Sequence, residues 1–313
     1  MKDPRQMRIL LMGTPALARD VFAAIHQEGY TIIGLVAQPD TEVGRDRILT
    51  KPPTKVWAES VGIPVYQPEK IRLDHTFIND LDVDVILTLA YGQIVPQAVL
   101  DKPRIGAFNF HGSLLPKYRG ASPLRFALVH GETETGMTLM KMVLAMDAGP
   151  MYAMKRLPIL PEDNYDSLLQ RFSAFTCQFA IQTLPRLFRG ELSPIPQDES
   201  KVSFAPLIKK EDEHLSLTHP LPLFRGWIRG LADTPGGYLL CEGKKLKIFA
   251  STIIHDQQVA PIGTLIKVDH QGVHLQVQGG VISLDSVQLE GKGKMVGTVF
   301  GNGHQRLQGT TLQ

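Results

Sequence analysis

Cysteine is nearly absent from this chain. Cys177 and Cys241 are the only two in 313 residues, which excludes a disulfide framework and gives no support to a thiolate metal site. They fall in helix-like and strand-like segments, where both are expected to be buried small residues. Long apolar runs are missing too, since none approaches the roughly 18 residues that a membrane span needs. The opening stretch MKDPRQMRILLMG passes directly into a short strand-like run, without the apolar core and small-residue cleavage site of an export signal. A cytoplasmic protein with no membrane association is expected. Charge of one sign is equally scarce. The formal net charge is +2, and from Ile208 onward 11 lysines and arginines stand against 9 acids, too small an excess to establish a nucleic-acid surface. The six histidines in that same stretch show no ligand spacing, and His26, His75 and His130 have no sequence partners, so no metal is expected. Gly13-Thr14-Pro15 stands where a dinucleotide fingerprint would, but lacks its Gly-x-Gly-x-x-Gly pattern, which disfavours a nicotinamide cofactor. There is no internal repeat and no low-complexity tract.

What is present reads as an α/β chain with a mostly parallel sheet, Rossmann-like in pattern. Arg8 to Met12 forms an apolar strand, Gly13 the turn, Thr14 an N-cap and Pro15 the first helical residue. Leu17, Val21, Ala24 and Ile25 repeat at helical spacing up to Gly29, and Thr31 to Val36 resumes as strand. A polar loop at 38–53, a helix at 55–60 and apolar strands at 83–89 and 106–110 follow. A helix is expected from Ser122 or Pro123 through Val129, a β-rich stretch at 135–159, in which Met137, Met140 and Met142 pack a sheet, and a long helix at 163–189 closed by Gly190. Pro194, Pro196 and Pro206 then mark a change of character. We therefore expect a domain over 1–190, a linker over 191–207 and a second domain over 208–313. Short strands at 237–241, 246–251, 263–268, 273–277 and 281–289 suggest that the second domain is a small OB-like β-barrel.

The chemistry concentrates in Asn109-Phe110-His111-Gly112-Ser113-Leu114-Leu115-Pro116-Lys117-Tyr118-Arg119-Gly120. Asn109 and His111, two apart on a strand, face the same side of the sheet, at the strand end where open α/β sheets bind ligands. An amide can donate to a developing oxyanion, and a neutral imidazole can take a proton from an attacking amine or hand one to a leaving nitrogen. Asp147, just beyond the strand-like Met137 to Val143, is the carboxylate that would fix the imidazole tautomer. Taken alone, Asp147 reads equally as a turn residue beside Gly149.

The run from Asn109 to Pro116, with Arg119-Gly120 following and Asp147 farther on, resembles the signature of folate-dependent formyltransferases. Gly13-Thr14-Pro15, Gln38-Pro39-Asp40, Ala90-Tyr91-Gly92 and the β-rich tail extend the resemblance over nearly the whole chain. Within the family the closest likeness is to the branch acting on methionyl-tRNA. The resemblance implies that Asn109, His111 and Asp147 are catalytic, that Ser113, Leu114, Leu115 and Pro116 line the folate site, and that the backbone of 87–92 contacts the pterin. It implies transfer of a formyl group from 10-formyltetrahydrofolate to the α-amino group of methionyl initiator tRNA, through a tetrahedral oxyanion, with no metal and no covalent enzyme intermediate. Arg45, Arg47 and Lys51 would meet tRNA phosphates, as would Lys244, Lys245, Lys247, Lys292 and Lys294 from the second domain. A monomer is expected. An enzyme formylating an amino sugar nucleotide or glycinamide ribonucleotide, and a silent RNA-binding or folate-binding protein, are the alternatives.

Overall fold

A computed structural model of the chain describes residues 3–44 and 46–313. Seven strands form the first sheet, in the spatial order 65–66, 31–36, 8–13, 85–89, 106–111, 134–141 and 151–158. In chain order the elements begin with β1 (Arg8–Gly13), α1 (Ala16–Gln27), β2 (Thr31–Val36), the small hairpin β3 (Thr41–Val43) and β4 (Ile48–Thr50), α2 (Pro53–Ser60), β5 (Val65–Tyr66), β6 (Val85–Leu89), α3 (Gln97–Leu100) and β7 (Gly106–His111). Then come α4 (Pro123–Val129), β8 (Glu134–Lys141), β9 (Met151–Pro158) and α5 (Tyr165–Phe188). The pairs β1·β2, β1·β6, β2·β5 and β6·β7 are parallel and β7·β8 is antiparallel. All five residues of β6 are buried, as are five of the six in β1, which is why these strands read as continuous apolar runs rather than as alternating ones. A core of Leu10, Met12, Val36, Ile86, Tyr91 and Ala107, with their neighbours, lies on one face. The chain leaves β1 toward β2 on one side and returns to β6 on the other, so the strand order reverses beside β1 and opens a crevice at the carboxyl ends there.

The start of α1 differs from expectation. Pro15 is the N-cap and carries no side-chain cap bond, while Thr14 Oγ1 donates to the Tyr91 carbonyl at 3.1 Å. Gln38 Nε2 donates to the same carbonyl at 3.0 Å, and Thr54 Oγ1 donates to the Gly13 carbonyl at 2.9 Å. The turns after β1, β2 and β6 are thereby tied together at the strand ends.

The chain divides into two compact units, one of residues 1–123, 135–157 and 170–206, the other of 124–134, 158–169 and 207–313. The second unit contains α6 (Leu221–Leu231), β10 (Gly237–Cys241), β11 (Lys244–His255), β12 (Leu265–Asp269), β13 (Gly272–Val277), β14 (Gly280–Leu289), β15 (Met295–Val296) and α7 (Gly297–Gly303). Its sheet runs β10-β11-β14-β13-β12, antiparallel at each of these pairings, with β15 on β14. Phe224, Ile228, Leu246, Ile248, Leu275, Ile282 and Phe300 are part of its separate core. Helix α6 was not expected from the sequence, because Gly226 and Gly230 argue against a helix. A Cβ at Gly226 would stand 2.1 Å from the Val129 carbonyl, so the glycine is there to let α6 approach backbone closely. Cys241 is buried and Cys177 only half-buried, and both are free. Among the described residues no helix is long and apolar enough to cross a membrane.

Candidate functional site

Strand β7 carries Asn109 and His111 to its carboxyl end. His111 is 4% exposed and pairs in register with Thr138 of β8. Asn109 is half-buried and sits opposite Thr88 of β6. The imidazole is held from both sides. Nε2 lies 2.9 Å from the Tyr118 carbonyl, and because a carbonyl only accepts, Nε2 carries a hydrogen and donates it. Nδ1 faces Asp147 Oδ2 at 3.6 Å, beyond a hydrogen bond. Among the described residues the Asn109 amide makes no hydrogen bond with the chain, and neither does the buried Thr88 Oγ1. Two polar groups without a partner among the described residues thus stand in register on adjacent strands, two residues before the imidazole.

The two residues that hold His111 both lie in left-handed backbone, Tyr118 at φ 62° and Asp147 at φ 50°, a conformation that non-glycine residues keep only when their surroundings enforce it. For Asp147 the restraints are a hydrogen bond to Oδ2 from the Gly120 amide at 2.8 Å and two from Gln197 Nε2, to the Asp147 carbonyl at 2.7 Å and to the Gly149 carbonyl at 2.8 Å. For Tyr118 the backbone amide donates to Ser203 Oγ at 3.0 Å. Arg119, 5% exposed, donates through Nε and Nη2 to Gln197 Oε1 at 3.0 and 2.8 Å, and through Nη2 to Glu199 Oε1 at 2.7 Å. The guanidinium holds the Glu199 carboxyl below its usual range, first through the hydrogen bond and then through charge. Backbone bonds from Arg119 to Ser203, from Ala205 to Arg119 and from Ser122 to Ala205 complete the strap. Residues 195–205, expected as part of a linker, therefore run as an ordered segment along this loop. Gln197 and Ser203 went unnoticed in the sequence, since side-chain contacts to backbone far away in the chain leave no periodic or motif signal.

The other expected residues are placed unevenly. Ser113 is 1% exposed, its hydroxyl donating to the Lys117 carbonyl at 2.6 Å, and Leu115 is 3% exposed, so neither offers side-chain surface. Leu114 and Pro116 are half-buried. The 87–92 backbone turns through left-handed Ala90 and Gly92, and the Tyr91 phenol, buried without a partner among the described residues, is raised above its ordinary pKa by burial. Arg47 and Lys51 lie on and just after the β3–β4 hairpin, distinct from the His111 cluster in sequence, and both are paired within the chain. Arg47 Nε meets Glu42 Oε2 at 2.5 Å and Lys51 Nζ meets Glu59 Oε2 at 2.7 Å. Arg45 lies outside the described residues. Lys247 Nζ donates to the Pro235 carbonyl at 2.5 Å and Lys294 Nζ pairs with Asp233 at 2.6 Å, while Lys245 lies over the Tyr238 ring. Among the described residues no group of three or more His, Cys, Asp or Glu is placed to hold a metal ion.

Residues 7–184 match a family described as formyl transferase, and residues 207–305 match the formyl transferase C-terminal domain. A methionyl-tRNA formyltransferase of Pediococcus pentosaceus is 38% identical over 299 residues, covering 94% of this chain and 93% of its own. Among solved structures, an N-formyltransferase from Helicobacter canadensis, bound to folinic acid and dTDP-3-aminofucose, matches with a TM-score of 0.67 at 17% identity over 89% of this chain and 99% of its own. HypX from Aquifex aeolicus in complex with tetrahydrofolic acid matches with a TM-score of 0.61 at 15% identity, over 94% of this chain but only 46% of that longer one. At these identities the two structures speak for the fold.

Proposed function

The chain belongs to the formyl transferase family, and from that premise we propose that Asn109, His111 and Asp147 carry its chemistry. The protein is an enzyme that transfers a formyl group from 10-formyltetrahydrofolate to the α-amino group of methionyl initiator tRNA. The observation that carries the assignment of residues is the imidazole of His111, set between the Tyr118 carbonyl and the Asp147 carboxylate, two residues along β7 from an Asn109 amide with no hydrogen-bond partner among the described residues.

The residues suit a formyl-folate. Half-buried Leu114 and Pro116 offer apolar surface, the 87–92 backbone offers main-chain groups, and the orphaned Thr88 Oγ1 stands one strand from Asn109. When bound, the folate supplies an acyl group on a nitrogen leaving group. The chain's own part is positioning, charge stabilisation and proton handling. Asn109 donates to the formyl oxygen as negative charge gathers there, an arrangement whose loss typically costs ~100- to 1000-fold in rate. With Nε2–H committed to Tyr118, Nδ1 is the basic nitrogen. It receives the proton that leaves the attacking amine, Asp147 stabilises the resulting imidazolium, and the same proton passes to N10 as the N10–carbon bond breaks.

The antiparallel unit is read as a small, partly open OB-like barrel. The 12-residue β11 supports this, because it shifts register three times along β14, as a strand does when a sheet curls. That unit, assigned to 208–313, and the β3–β4 hairpin with Arg47, followed by Lys51, are the surfaces offered to tRNA, and Arg45, outside the described residues, joins them on its sequence position alone. The enzyme is placed in the cytoplasm as a monomer. The test is a parallel incubation with 10-formyltetrahydrofolate and either methionyl initiator tRNA, an amino sugar nucleotide or glycinamide ribonucleotide. Formyl-methionyl-tRNA as the dominant product supports the reading, and turnover confined to a small amine defeats it.

A further inference from the structure

We propose that Gln197 is a positioning residue for the transfer, holding the Asp147 carboxylate against His111 from within the strap. The proposal rests on the catalytic reading of Asn109, His111 and Asp147 given above. Its physical basis is that Asp147 occupies left-handed backbone at φ 50° with the carboxylate facing Nδ1 at 3.6 Å, and that this backbone needs an external restraint. Gln197 Nε2 supplies it by donating to the carbonyls of Asp147 and Gly149, one on each side of Ala148. Gln197 cannot rotate away, because its Oε1 accepts two hydrogen bonds from the buried Arg119 guanidinium, itself paired with Glu199.

The order of these contacts assigns roles along a chain. Glu199 orients Arg119, Arg119 orients the Gln197 amide, and the amide fixes the turn that aims Asp147. Six residues farther along, Ser203 Oγ accepts from the amide of Tyr118, whose carbonyl takes Nε2 of the same imidazole. One segment thus restrains both partners of His111. An amide is required at position 197 in one orientation only. A carboxylate there would keep the bonds from Arg119 but would set an acceptor against two carbonyl oxygens, so Gln197→Glu releases the Asp147 turn while leaving the Arg119 anchor in place.

The test measures single-turnover formylation, with enzyme in excess over methionyl initiator tRNA and saturating 10-formyltetrahydrofolate, for wild type, Gln197→Glu, Asp147→Asn and the double variant, with steady-state KM values alongside. Each protein is assayed well below its own melting midpoint. Displacements on the order of 1 Å at a reacting group cost about 100-fold, so Gln197→Glu is expected to slow transfer about 10- to 100-fold with both KM values within about threefold of wild type. In the Asp147→Asn background the same change is expected to cost less than about twofold more, because its effect runs through the carboxylate already removed. A structural role elsewhere would multiply undiminished. Gln197→Glu at the wild-type rate, or a penalty that multiplies fully in the double variant, overturns the proposal alone provided Asp147→Asn is slow. Asp147→Asn as fast as wild type sinks the catalytic reading, and the proposal with it.

Discussion

Asn109 and His111 stand two residues apart on β7, yet among the described residues the Asn109 amide has no hydrogen-bond partner, whereas the His111 ring has a hydrogen bond at Nε2 and a carboxylate 3.6 Å from Nδ1. That asymmetry separates their roles. On the proposed mechanism, an amide without a partner takes a new one without breaking an old bond, whereas an imidazole anchored at Nε2 keeps Nδ1 aimed for proton transfer. Asn109→Ala is expected to lower kcat about 100- to 1000-fold with KM for tRNA within about threefold, because the interaction forms only as charge develops. Steady-state kinetics at saturating donor check this. Both cysteines are pushed above their ordinary pKa, chiefly by burial. Since only the thiolate reacts, alkylation by iodoacetamide at pH 8 is expected to run at least about 10-fold slower in the folded protein than in urea, and mass spectrometry of timed samples reads it. At this scale the Asn-x-His pair was legible because a strand places alternate residues on one face. The Tyr118 carbonyl was not, since backbone acceptors have no sequence identity to read.

The elements divide by how far their determinants reach along the chain. Strands β1, β6 and β7 were readable as apolar runs because burial on both faces leaves that mark. Thr14 as N-cap failed because the Tyr91 carbonyl, 77 residues away, claims its hydroxyl. The β3–β4 hairpin went unseen because each of its strands is three residues long and fully exposed, with no buried face to impose a period. Two predictions belong to the turn and strap around Asp147. A Cβ at Gly149 would stand 1.8 Å from the Lys141 carbonyl, so Gly149→Ala must displace the Asp147 turn, and a melting temperature several degrees lower together with at least about a 10-fold loss of kcat is expected. Glu199 is held below its ordinary pKa by Arg119. A depressed carboxyl pKa adds stability above the unfolded value, near 4.5 for glutamate, and that contribution is lost as pH falls through the folded value. Thermal melts of wild type and Glu199→Gln are therefore expected to differ at pH 6 and to converge toward pH 3.

At the scale of the molecule the overall charge is only +2, and Arg47 and Lys51 are already paired with Glu42 and Glu59. On the proposed reading, phosphates would compete with these carboxylates for Arg47 and Lys51, so each would contribute modestly to tRNA affinity. Arg47→Ala and Lys51→Ala are expected to raise KM for tRNA by about two- to fivefold each and to leave KM for the folate unchanged. Raising salt from 50 to 200 mM is expected to weaken tRNA binding while sparing the folate, because counterion release acts on the polyanion. Composition bounded this scale without locating any surface, since net charge is a sum and recognition depends on where the charges stand.

The measurement that tests the central claim most directly is single-turnover formylation of methionyl initiator tRNA by wild type and by His111→Ala, at saturating 10-formyltetrahydrofolate and matched folded concentration. Removing the fixed proton relay is expected to slow transfer by at least about 100-fold while binding of both substrates persists. A His111→Ala protein that transfers formyl at the wild-type rate would contradict the account.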